Sequence, residues 1–179
     1  RDADRLARFE REARTVAAAY SIIVSAAANG IGVSAAAPAP EKPVSRKARA
    51  DSKKLSDGAV EKMLSGDSSA AERMLCAARE LNPANAEALL SLCSLAFSKG
   101  EFTKALDICG AVAGAAALDR HPARQTMVAE ALYMKAHVFL KLGKPREAEK
   151  YFRLALGTAP KGWSNLARAE TELARLKAR

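Results

Sequence analysis

AEALYMKAHVFLKLGKPREAEKYFRLALGTAP, residues 129–160, is the stretch that decides the fold. Apolar residues recur at spacings of three and four on both sides of Gly143, the mark of two amphipathic helices joined by a tight turn. Gly143 can take the left-handed conformation that ends the first helix, Pro145 suits the first turn of the second, and Pro160 stops it. With Ala129 counted as position 1, small residues stand at 8 (Ala136), 20 (Ala148) and 27 (Ala155). Bulky ones stand at 4 (Leu132), 11 (Phe139) and 24 (Phe152). Small side chains let two helices approach closely, and bulky ones fill the space around that contact.

The same arrangement recurs upstream. Counted from Ala86, the stretch AEALLSLCSLAFSKGEFTKALDICGAV puts Leu89, Leu92, Cys93, Gly100, Ala105 and Val112 at positions 4, 7, 8, 15, 20 and 27. Counted from Ser52, one 34-residue period earlier, Ala59, Gly66, Ala71, Leu75, Ala78 and Pro83 fall at 8, 15, 20, 24, 27 and 32. The first helix of that unit is poor, with Gly58 at 7 and Lys62 at 11. LNPANAEAL and GTAPKGWSNL are the same kind of joint, a proline closing one unit before the next begins. Ala129 lies one period plus nine residues after Ala86, and that excess is assigned to a loop at Leu118–Met127 holding His121 and Pro122. This in-register array resembles the tetratricopeptide repeat (TPR), with about three repeats over residues 52–162 and a C-terminal capping helix. Lys135 departs from the family pattern, which usually has a large apolar residue at position 7. The resemblance implies an all-α fold, a short α-solenoid of helix–turn–helix repeats, here with an N-terminal helical extension.

Composition agrees with that class. Nearly half of the 179 residues are hydrophobic but only 5% are aromatic, and alanine is abundant, which favours closely packed helices over a sheet. The net charge of +9 is spread out: residues 1–54 carry 11 basic and 6 acidic groups, and residues 55–179 carry 18 and 14. A nucleic-acid binder usually concentrates its charge more than this. Cys76, Cys93 and Cys109 lack the spacing of a zinc site. They read as buried thiols acting as small apolar residues, in a reducing compartment. A Cys93–Cys109 bridge is the sharper alternative, because those positions lie near each other within a repeat.

Three regions make up the chain: an N-terminal helix (1–33), a Pro/Lys/Arg-rich linker (34–51) and the repeat domain (52–179), closed by a capping helix over 163–179. Leu6, Phe9, Val16, Tyr20 and Ile23 form a docking stripe along one seam of the N-terminal helix. Residues 15–37 carry no charge, which makes a membrane span conceivable, but Ala, Ser and Gly dominate and helix docking is favoured. Four acids in the first 14 residues argue against a retained transit peptide. The basic run Arg46, Lys47, Arg49, Lys53 and Lys54 reads as a solvated face that could also meet phosphates.

Nothing in the sequence builds an active site. His121 and His137 stand far apart, and no nucleophile elbow, glycine-rich phosphate loop or paired-cysteine motif appears. No enzyme, metal or cofactor is therefore expected. The resemblance implies a partner-binding groove lined by the first helices of the repeats: Leu90, Ser94 and Phe97 in the middle repeat, and Tyr133, His137, Leu140 and Lys141 in the last. The subgroup that clamps the C-terminal carboxylate of chaperones uses Asn and Lys/Arg on this face, and the asparagines are missing here. Apolar anchors suit a helix or an extended apolar segment instead. The expectation is a non-catalytic protein–protein interaction scaffold, an accessory subunit of a larger multiprotein assembly. An organellar setting is expected, the mitochondrial matrix or a matrix-side complex. The alternatives are an RNA-associated subunit anchored by the basic linker and tail, as in a mitochondrial ribosome, and a membrane-anchored adaptor using residues 15–37.

Overall fold

The computed structural model describes residues 44–118 and 121–178. Seven helices follow in order: α1 (Arg46–Leu64), α2 (Ser68–Leu81), α3 (Ala86–Ser98), α4 (Phe102–Leu118), α5 (Arg124–Lys141), α6 (Pro145–Thr158) and α7 (Leu166–Lys177). They pair as the hairpins α1/α2, α3/α4 and α5/α6, and α7 lies on α6. Successive first helices also touch, α1 with α3 and α3 with α5, as helices that line one face of the array would. Among the described residues there is no strand, and no helix is long and apolar enough to cross a membrane. The docking stripe and residues 15–37 lie outside the described residues.

Each hairpin turns on the glycine expected of it. Gly66, Gly100 and Gly143 have φ of 83°, 76° and 69°, and each closes the preceding helix at position 15 of its repeat. A Cβ at any of the three would meet nothing within 4 Å, so the left-handed backbone, not lack of room, is what requires glycine. The residue after each glycine donates its N–H five residues back: Asp67 to the Lys62 carbonyl, Glu101 to Ala96 and Lys144 to Phe139, each at 2.9 Å. The next helix is then started locally. Asp67 caps α2 by accepting from the Ala70 N–H at 2.9 Å, and Pro145 stands in the first turn of α6.

Packing follows the small-and-bulky pattern closely. Positions 8, 20, 24 and 27 are buried in all three repeats: Ala59, Ala71, Leu75 and Ala78; Cys93, Ala105, Cys109 and Val112; Ala136, Ala148, Phe152 and Ala155. The weak first helix has its own explanation. A Cβ on Gly58 would lie 2.7 Å from the Met74 Cε, so the Met74 side chain fills the space a larger residue would take. Buried polar groups hold the joint before α3. The Asn85 Nδ2 donates to the Ser52 Oγ (2.7 Å) and the Ser56 Oγ (3.0 Å), and the Ser52 hydroxyl donates to the Ala78 carbonyl (2.7 Å). The Asn85 Oδ1 also caps α3 through the Ala88 N–H, at 2.9 Å.

Several expectations are corrected. Cys93 and Cys109 are not thiols but a disulfide, with Cα atoms 5.6 Å apart. The bridge occupies positions 8 and 24, where the last repeat buries Ala136 and Phe152, and it removes the ground on which a reducing compartment was expected. Cys76 is free and exposed. The nine-residue excess is not a loop over Leu118–Met127. It lengthens α4 to 17 residues and α5 to 18, because Ala115, Ala116 and Met127 join the core of the middle repeat. The linker ends earlier than expected: α1 begins at Arg46, where Ser45 accepts from the Ala48 N–H at 3.1 Å. The capping helix starts at Leu166, after a turn through Trp163 and Asn165.

Lys135 keeps its place in the core. It is 4% exposed, with its Nζ 4.7 Å from the centre of the Tyr151 ring, and that ring stacks on Phe139 at 5.1 Å. Burial pushes its pKa down to about 8, and Asp107 offsets part of that shift.

Candidate partner-binding groove

The face made by the first helices carries the expected residues on two of them. Leu90, Ser94 and Phe97 lie on α3; Tyr133, His137, Leu140 and Lys141 lie on α5. All but the exposed Lys141 are part-buried. Leu90 and Phe97 rest on the core of the middle repeat, and Phe97 meets Phe102 at 6.0 Å between ring centres. On α5 the aromatic residues also hold the repeat together. Tyr133 meets His137 (4.5 Å), Phe152 (5.7 Å) and Trp163 (5.7 Å), each edge to face. His137 packs at 5.2 Å against Phe152, and burial lowers its pKa. It is therefore a neutral aromatic wall near pH 7, not a cation.

Two lining residues were missed in the sequence although the same rule finds them. Val60 and Leu64 stand at positions 9 and 13 of the first repeat, and are 44% and 83% exposed. They were passed over because Gly58 and Lys62 made that helix look degenerate. With them the apolar stripe runs along all three first helices.

At one end of the rim the charged groups are bound to one another. Lys53 pairs with Asp57 (3.0 Å) and Glu87 (3.7 Å), and Glu87 also takes the His121 Nε2 at 3.3 Å. The His121 Nδ1 accepts from the Ala123 N–H at 3.1 Å, which leaves the donated proton on Nε2. His121 thus ties the end of the α4–α5 connection to α3. At the other end the Glu130 carboxylate accepts from the Trp163 indole N–H (2.7 Å) and the Asn165 amide (2.9 and 3.0 Å), fastening the turn before α7 to α5. Among the described residues, no group of three His, Cys, Asp or Glu side chains could hold a metal ion.

Two solved structures share this architecture. The N-terminal domain of stress-induced protein-1 (STI-1) from C. elegans superposes with a TM-score of 0.63 at 16% identity, over 74% of this chain and 99% of that one. The first TPR of Spaghetti (RPAP3), bound to the HSP90 peptide SRMEEVD, gives 0.58 at 18% identity, over 73% and 93%. At such identities the likeness is one of fold. No curated protein matches the chain in sequence. Two family profiles described as tetratricopeptide repeat match it, one over residues 59–122 and one over 129–161. Those two segments take in more than half of the sequence and agree with the three hairpins, and the chain belongs to the tetratricopeptide-repeat family.

Proposed function

We propose that the chain is a non-catalytic scaffold for protein–protein interaction, an accessory subunit that binds its partners on the face formed by α1, α3 and α5. The observation that carries this reading is the apolar stripe from Leu64, 83% exposed, through Leu90 and Phe97 to Tyr133 and Leu140. Large apolar side chains left open along one face mark an interaction site. A neighbour of the same fold holds a peptide, which supports a protein ligand.

An organellar assembly is supported by the basic, alanine-rich composition, and the mitochondrial matrix side is the compartment that composition suggests. A reducing matrix would hold Cys93 and Cys109 as thiols, whereas their bridge fits an oxidising compartment. Alkylation of the thiols in fractionated cells reads which state the protein has where it works.

The scaffold reading is tested by affinity capture of the tagged protein from its native source, with high-salt washes and nuclease. Partners retained under both treatments, and lost from a V60S/L64S variant of unchanged melting temperature, are the expected result. Partners that leave with nuclease would move the reading to the basic residues and an RNA-containing assembly.

A further inference from the structure

Resting on the groove reading above, we propose that the groove takes an apolar helical segment flanked by basic side chains, with those cations laid along the rim of Glu87 and Glu130. Position 2 of the three repeats holds Lys53, Glu87 and Glu130. Lys53, the cation of that set, is taken by Asp57 and Glu87 at 3.0 and 3.7 Å. Glu130 receives its three hydrogen bonds from the uncharged indole of Trp163 and amide of Asn165, so its charge has no cation against it there. At this edge three carboxylates, Asp57, Glu87 and Glu130, therefore stand against the ammonium of Lys53, in a chain whose net charge is +9; Lys141, the other groove-side cation, lies eleven residues further along α5 from Glu130. Toward α7, Tyr133 feels Arg168 in one direction and Glu172 and Glu130 in the other. An acid-terminated tail would meet carboxylates along this edge. A basic flank would meet complementary charge while apolar side chains cover Val60 and Leu64.

The test measures binding of three labelled peptides to the full chain by fluorescence anisotropy at low and moderate salt. They are a Leu/Lys amphipathic helix, the same helix with Glu for Lys, and SRMEEVD. The expected result is that the Leu/Lys helix binds on the order of tenfold tighter than the other two. D57N/E87Q should weaken it by about threefold and flatten its salt dependence. Equal or tighter binding of the Glu helix or SRMEEVD, still lost in V60S/L64S, would overturn the charge assignment and leave the groove reading standing. Failure of the Leu/Lys helix to bind would overturn it as well. Binding of every peptide unchanged by V60S/L64S would sink the groove reading and this inference with it. Both altered apolar residues are exposed, so the variant is expected to fold normally, and its melting temperature checks that.

Discussion

Lys135 is the residue where the chain departs most from the physics of its own fold. Its amine lies over Tyr151 with a pKa lowered to about 8, so folding disfavours the charged form. The sign follows from proton counts. Below pH 8 both states are protonated and the folded state bears the whole penalty. Between pH 8 and the ordinary lysine value of 10.5 the unfolded chain holds the proton longer, so stability rises with pH. At roughly 1.4 kcal/mol per pKa unit the gain is on the order of 3 kcal/mol. K135M should raise stability at pH 7 by about 1–3 kcal/mol, as an apolar residue would at this position. Urea melts of both proteins at pH 7 and pH 9.5 check this: the difference should shrink at the higher pH, and a constant difference contradicts it. Asn85 is the opposite case, a polar residue fully used by its surroundings. N85A removes a helix cap and leaves the Ser52 and Ser56 hydroxyls without their donor, which should cost about 2–3 kcal/mol.

At the scale of the element, the middle hairpin is the one fastened covalently. The Cys93–Cys109 bridge closes a segment of sequence separation 16 between α3 and α4. A crosslink over such a loop is worth about 3 kcal/mol. Reduction, or C93A/C109A, should lower the denaturation midpoint accordingly. A midpoint unmoved by reductant would mean that the two cysteines are thiols in the folded protein. Gly100 offers a second test at this scale. G100A forces an alanine into the left-handed turn although the space is open, and should cost about 1 kcal/mol.

The hairpins were legible because glycine at position 15 and small residues at 8, 20 and 27 speak locally. The bridge was legible only as two nearby positions, since two interior-facing cysteines read equally well as thiols. The helical run of the inserted residues was hidden for another reason. HPAR breaks the periodicity, and only burial of Ala115, Ala116 and Met127 in a shared core reveals why the helices continue. The groove on α3 and α5 could be read by counting, whereas its first third was obscured by the glycine that Met74 packs against.

Across the whole repeat domain, the ends differ from the middle in the way a short solenoid requires. α7 buries Ala169 but leaves Glu170 exposed, and with the count carried on one period from Ala129 to Trp163 this is position 8, where the three repeats bury a small residue. α1 turns Lys47, Lys54 and Glu61 to solvent. Between these polar ends the first helices present their apolar stripe, and that asymmetry is the basis for reading the protein as a scaffold. The most direct test is lysine cross-linking with mass spectrometry on the captured assembly. Lys53 and Lys141 stand at positions 2 and 13 on the groove side, whereas Lys150 is on the exposed face of α6. The account predicts partner cross-links concentrated at Lys53 and Lys141 and depleted in V60S/L64S. Cross-links confined to Lys150 and its neighbours, unchanged in the variant, would contradict it.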